Sequence, residues 1–215
     1  DVPEIMDQLT GVVISSDAGA GVGYTGMRVR GSDATRINVT INGIPINDAE
    51  SQSMYWVDMP DLLSSTNQIQ LQRGVGTSVN GAAAFGASIN ILTDHLSEKP
   101  FAETNLSYGT FNTKKVNLIA GTGLLNNHFA FETRLSSIQS DGYVDRATSD
   151  LKSFYFSGGY FGQKSMLKAI MFSGIEKTYQ SWYGVPEARY KNDTQGMMDY
   201  ISRNGLDNED AANLL

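Results

Sequence analysis

Cysteine is absent from this 215-residue chain, so neither a disulfide nor a thiolate-ligated metal site can form within it. That absence suits a bacterial envelope protein as well as a cytosolic one. Histidine is nearly missing too: His95 and His128 stand far apart without an H-x-x-x-H partner, which predicts structural roles rather than a metal site. Cations are outnumbered, with 16 Lys and Arg against 23 Asp and Glu, and the clustered basic groups of a nucleic-acid surface are not there. No apolar run approaches the roughly 20 residues of a membrane-crossing helix, so passage through a bilayer would require strands. The start Asp1-Val2-Pro3-Glu4 lacks the basic and apolar regions of a signal peptide, as expected of a mature, truncated or cytoplasmic chain. Neither a G-x-S-x-G elbow nor a nucleophile with an adjacent base occurs, so no catalysis and no cofactor are expected.

What the chain has in quantity is glycine, 22 residues, concentrated around alternating segments. Residues 69–91 read IQLQRGVGTSVNGAAAFGASINI. Ile69 and Leu71 alternate with glutamines as in a strand with one apolar face, and Ala87, Ile89 and Ile91 alternate in a second strand after a small-residue turn region. Upstream, 26–31 read GMRVRG and 37–48 read INVTINGIPIND, a strand closed by the Asn42-Gly43 turn signal. Gly21, Gly23 and Gly26 form a literal G-x-G-x-x-G. A dinucleotide site needs a helix directly after those glycines, and here a strand follows, so the match reads as a loop. Ile5, Leu9 and Val12 are spaced as the core face of a helix within residues 2–14, and Pro60 opens a short helical turn.

The three motifs, RVRG, the strand with N-G-x-P, and QRG followed by GAAAFGASINI, occur in the order and at the spacing of one family. In them the chain resembles the plug domain of TonB-dependent outer-membrane receptors. The resemblance implies an α+β plug over residues 1–95, active uptake driven through TonB, and a TonB contact upstream of this chain. It also implies that Arg30 and Arg73, each before a glycine at a strand end, anchor the plug to carboxylates of a barrel wall. Glu103 and Glu132 are the candidates within this chain; in the family such partners tend to lie on later strands. The loops 15–26 and 47–56 are expected to form an outward apex under the ligand, with Tyr24, Asn47, Glu50, Gln52, Tyr55 and Trp56 as contacts. Trp182 and Tyr183 are expected to line its wall. Tyr55 and Trp56 could equally pack the plug against the barrel.

Past Pro100 the pattern changes to segments of about ten residues. Ala102, Thr104, Leu106 and Tyr108 oppose Glu103, Asn105 and Ser107, while Phe129, Phe131, Thr133 and Leu135 oppose His128, Glu132, Arg134 and Ser136. A lipid-facing outside and a wet lumen would produce this alternation, although a soluble antiparallel sheet would as well. The connections favour a barrel. The longer ones, 140–150 and from 179 onward, fall at alternate positions, as external loops do. Residues 96–215 are therefore expected to begin an antiparallel transmembrane β-barrel with extracellular loops. Some five strands cannot close where plugged transporters have roughly 22, so the barrel in this chain is incomplete and its remaining strands belong to another chain or an omitted segment. The expected partners are TonB, those strands, outer-membrane lipid and a small-molecule or oligomeric nutrient, with no nucleic acid. Siderophore-iron, haem, cobalamin, glycan and peptide remain open as ligands. A passive porin would lack the plug, and a soluble binding or adhesion module would place the strands in a sandwich.

Overall fold

Strand β6 (Ala87–Thr93) is the centre of the N-terminal sheet because Ala87, Ile89 and Ile91 are fully buried on one face. The computed structural model describes residues 1–75, 84–93, 96–179 and 185–214. In chain order α1 (Val2–Met6), β1 (Val12–Ser16), β2 (Thr25–Val29), β3 (Ile37–Ile41), β4 (Ile44–Pro45) and β5 (Thr66–Arg73) precede β6. β1 and β2 form an antiparallel hairpin, and the other four make a sheet of order β4-β3-β6-β5. β3 and β6 pair in parallel, with Val39 opposite Ile89, which explains why both are near-continuously buried. Asn42 and Gly43 take φ of 51° and 82°. They thus form the two-residue hairpin turn that the Asn-Gly pair favours. Gly86 is required where the chain enters β6: its amide donates to the Arg36 carbonyl at 2.8 Å, and a Cβ there would overlap Ser32.

The helix at the N-terminus is shorter than its spacing suggested. Only Val2–Met6 is helical, burying Val2, Pro3 and Met6, whereas Ile5 and Leu9 are exposed. Val12, expected on the helix, opens β1 opposite Val29. Cross-strand burial overrides a spacing that fits 3.6 residues per turn but has no partner surface on that side.

The second half is an antiparallel meander of order β11-β10-β9-β8-β7, comprising β7 (Pro100–Tyr108), β8 (Lys114–Thr122), β9 (Phe129–Ser140), β10 (Ser149–Phe161) and β11 (Met166–Thr178). Its edges, β7 and β11, have no further neighbour among the described residues, so this wall is open. Alternation sorts the faces as expected: Ala130, Glu132, Arg134, Ser136 and Ile138 are buried toward the N-terminal sheet, while Phe129, Phe131 and Leu135 are exposed. The connections 109–113 and 141–148 meet at one end, where Asp141 donates its amide to the Phe111 carbonyl at 2.9 Å and the Phe111 and Tyr143 rings stack edge to face.

Residues 181–215 form a separate compact unit, whose described part is helical: α2 (Glu187–Tyr190), α3 (Thr194–Asn204) and α4 (Asn208–Leu214). Asp193 caps α3 by accepting from the Gly196 amide at 3.0 Å, and Gly205 ends it with φ 59°. The polar tail thus carries its own helix signals.

Candidate functional site at the junction of the N-terminal sheet and the wall

Asp61 is the residue on which the two halves meet. It sits in the left-handed region (φ 57°), a conformation that Asp tolerates, between Pro60 and the 3-10 turn Leu62–Ser65. Only 6% of it is exposed. Around its carboxylate the wall supplies four groups from inward positions, two apart on neighbouring strands: Lys115 and Asn117 on β8, Arg134 and Ser136 on β9. Asn117 Nδ2 donates to Oδ2 at 2.7 Å, Ser136 Oγ donates to Oδ2 at 2.6 Å, and Arg134 Nη1 lies 3.1 Å from Oδ2. Lys115 Nζ pairs with Oδ1, which also accepts from Ser64 Oγ at 2.6 Å. Arg134 Nη1 further donates to the Asp61 backbone carbonyl.

Burial pushes the Asp61 carboxyl upward, but the hydrogen bonds from Lys115, Ser136, Ser64 and Asn117 outweigh it and hold the group below the usual carboxylate range. Arg134 is fully buried, its Nε and Nη2 meet no hydrogen-bond partner among the described residues, and its Cζ stands 5.9 Å from the Phe172 ring centroid. Asp61 is therefore its counter-charge. The sequence carried a signal for this in the inward Lys115, Asn117, Arg134 and Ser136, a polar row that needs an anion, though nothing in the chain order pointed to Asp61.

The arginines expected to anchor the plug are placed differently. Arg30 is exposed with φ 50°, its amide bonded to the Gly11 carbonyl at 2.7 Å. Arg73 ends β5, half-buried, with its Nε unbonded. Among the described residues neither forms an ion pair. Glu103 is exposed and accepts from Asn105 Nδ2 at 2.9 Å, whereas Glu132 is buried on the inward face of β9.

Of the expected ligand contacts, Trp56 is 5% exposed and belongs to the hydrophobic core with Met27, Val39 and Ile89. Tyr55 is 46% exposed, and Tyr24 is half-buried against Val57, Ile138 and Leu151. Burial, then the charges of Glu176, Asp58 and Asp17, raise the Tyr24 phenol above its usual range, with Tyr55 adding to the effect; these groups thus share one neighbourhood. Asn47 is a tether: its Oδ1 accepts from Val39 N at 2.7 Å, and its Nδ2 donates to the carbonyls of Ile37 at 2.8 Å and Gln52 at 2.9 Å. Glu50 and Gln52 are exposed on the turn that Asn47 secures. Trp182, Tyr183 and His95 lie outside the described residues. Loop 17–24 packs under the 141–148 connection, where the Ala18 carbonyl accepts from the amides of Tyr143 at 2.7 Å and Val144 at 3.2 Å. His128 Nδ1 donates to the Asn126 carbonyl at 2.7 Å, and no metal-holding group of side chains occurs among the described residues.

The TonB-dependent Receptor Plug Domain family matches residues 1–88. Among curated proteins, the vitamin B12 transporter BtuB of Vibrio cholerae serotype O1 is 26% identical over 123 residues, which are 57% of this chain and 20% of that protein. The chain thus spans about a fifth of the length of the curated relatives it matches. The solved pyoverdine outer membrane receptor FpvA from Pseudomonas aeruginosa PAO1 superposes with a TM-score of 0.68 at 13% identity, covering 87% of this chain and 27% of the receptor. The copper transporter OprC gives 0.69 at 13% identity over 85% of this chain and 29% of its own. At such identities the structural likeness establishes the fold. The motifs and the family match agree over the N-terminal sheet, and residues 1–88 are a TonB-dependent receptor plug domain, in a chain whose fold is that of the solved receptors.

Proposed function

We propose that this chain is the plug and first five wall strands of a receptor that takes up a scarce, bulky nutrient across the bacterial outer membrane, driven through TonB. The plug spans residues 1–95, and 96–215 begin the barrel with its extracellular segments. The observation that carries the reading is the two-sidedness of the wall: polar inward groups converge on Asp61 of the plug, while Val116, Leu118, Leu135 and Phe131 are exposed on the other face. Strand length agrees with it. From Asp150 to Tyr160, β10 advances about 34 Å at ~3.4 Å per residue, or about 26 Å along the normal at ~40° tilt, against an apolar band of about 25 Å in such barrels.

In this reading the plug closes the lumen, and ligand seats on its outer loops through Tyr24 and Tyr55, with Glu50, Gln52 and Asn47 beside them; Trp182 and Tyr183 are proposed as further ligand contacts. Trp56 acts there through packing. Arg30 and Arg73 reach carboxylates of strands outside this chain, TonB is met upstream of residue 1, and the remaining strands come from another segment or chain. Relatives named for vitamin B12, pyoverdine and yersiniabactin support a bulky ligand, a siderophore-iron complex, haem, cobalamin, glycan or peptide. The test is growth of a strain in which the intact receptor is the sole entry route, on defined iron, haem, cobalamin and glycan sources, with and without functional TonB. Growth on one source that disappears with TonB supports the proposal. Growth independent of TonB, with open conductance in bilayers, refutes it in favour of a passive pore.

A further inference from the structure

We propose that the outward face of the wall holds a lipid with a phosphorylated headgroup, at the rim nearest the 141–148 connection; the inference rests on the membrane reading above. Strand register puts Lys114, Gln139, Asp150 and Lys177 in one outward row across β8, β9, β10 and β11. Lys152 stands one outward position below, between Ser137 and Ile175. All three lysines are exposed, and among the described residues none of them forms an ion pair within 4.0 Å. Asp150 is the single anion in the row, so with Lys152 below it the cations number three to one, with Asp141 beginning the connection above. At the opposite rim the outward row is Phe129, Tyr160 and Leu167, without charge.

Directly below the lysines the same face opens into a cavity of about 380 Å³ with an almost wholly apolar surface. Val116, Leu118, Leu135, Phe154 and Ile175 line it, and Lys152 stands at its upper edge. An acyl chain fills such a groove, and a phosphate at the level of the row meets all three ammonium groups, whose aliphatic stems lie along the apolar positions below. Charge complementarity selects this occupant. A neutral lipid would fill the groove but leave the cations unused, and a water-soluble phosphate would leave the groove empty. At about 1 kcal/mol per lysine near an anionic surface, each contributes roughly fivefold to binding, and the three together on the order of a hundredfold.

The experiment uses the intact receptor, purified in detergent and stripped of lipid, with bis-phosphorylated lipid A as the probe and native mass spectrometry as the readout. Dephosphorylated lipid A is the comparison lipid, and heat-modifiable gel mobility reports that the barrel is folded. The expected result is retention of the phosphorylated probe by the wild type, weakened about a hundredfold in Lys114→Gln/Lys152→Gln/Lys177→Gln with mobility unchanged. Equal retention by the triple variant, or equal binding of the dephosphorylated lipid by the wild type, overturns the lipid site while leaving the membrane reading intact. A receptor that is monomeric in water without detergent overturns both.

Discussion

Replacing Asp61 by Ala in the intact receptor should loosen the plug from its wall, and the size of the effect follows from which of its partners can reach water. The Lys115 side chain is 30% exposed and can rehydrate, but that of Arg134 is 0% exposed and would remain as a buried cation with the residue 61 carbonyl and the Phe172 ring beside it but no counter-charge from Asp61. Removing one member of such a pair costs about 3–5 kcal/mol, because the other charge is left without compensation. Replacing both by apolar groups should cost far less, so Asp61→Ala/Arg134→Met is expected to regain most of the loss. The assay is hydrogen exchange of the plug amides in β3 and β6, read as the free energy of local opening in the two single variants and the double. A loss below about 1 kcal/mol in Asp61→Ala, or strict additivity in the double variant, would refute the role assigned to this carboxylate.

Acid should act at the same point. Because Asp61 is held below the usual carboxylate range, its contribution is complete above the unfolded value of about 3.9 and is lost as pH falls through the folded value. Plug protection should therefore be flat between roughly pH 5 and 8, and protection that falls within that window would assign the transition to another group. Asn47→Ala removes one acceptor and two donor contacts and should cost about 1–3 kcal/mol, seen as faster proteolysis within residues 48–53 while β9 and β10 stay protected. Gly86→Ala must displace Ser32 and should lower the plug's thermal transition, with Ser32→Gly restoring part of it. Leu135→Lys, mid-band on the outward face opposite Phe154, should destabilise folding into bilayers by about 2–4 kcal/mol, whereas the same change at exposed Gln139 should be nearly neutral.

Much of this architecture was legible locally. The alternation in 87–93 gave β6 its buried face, Asn42-Gly43 named its own turn, and the parity of Phe129, Phe131 and Leu135 against Glu132, Arg134 and Ser136 told outside from inside. Each of these depends on neighbours two residues apart, the range over which a strand encodes its faces. The Asp61 cluster was not legible, because it joins residues 54 to 75 apart in the chain and no local periodicity records such pairing. Ile5 and Leu9 misled for the converse reason: their spacing was right for a helix, but the hairpin partner of Val12 lies at Val29. Trp56, read from the sequence as a ligand contact or as packing against the barrel, lies in the core of the N-terminal sheet with Met27, Val39 and Ile89.

The account turns on loop 17–24 of the plug lying against the outer end of the wall, and a cysteine pair probes that contact directly. A Cβ at Gly23 would lie 3.6 Å from the Cβ of Ser149, inside the range of about 3.5–4.5 Å that a disulfide spans, and the chain has no cysteine of its own to interfere. Gly23 has φ +88°, so a side chain there carries strain of roughly 1–2 kcal/mol, small enough for the folded receptor to bear. In the intact receptor, with any cysteine outside this chain replaced, Gly23→Cys/Ser149→Cys should oxidise readily, and peptide mapping should find residues 23 and 149 linked. The linked receptor should lose TonB-driven uptake and regain it on reduction. Failure of the pair to link under mild oxidation, in a receptor whose barrel is folded, would contradict the account.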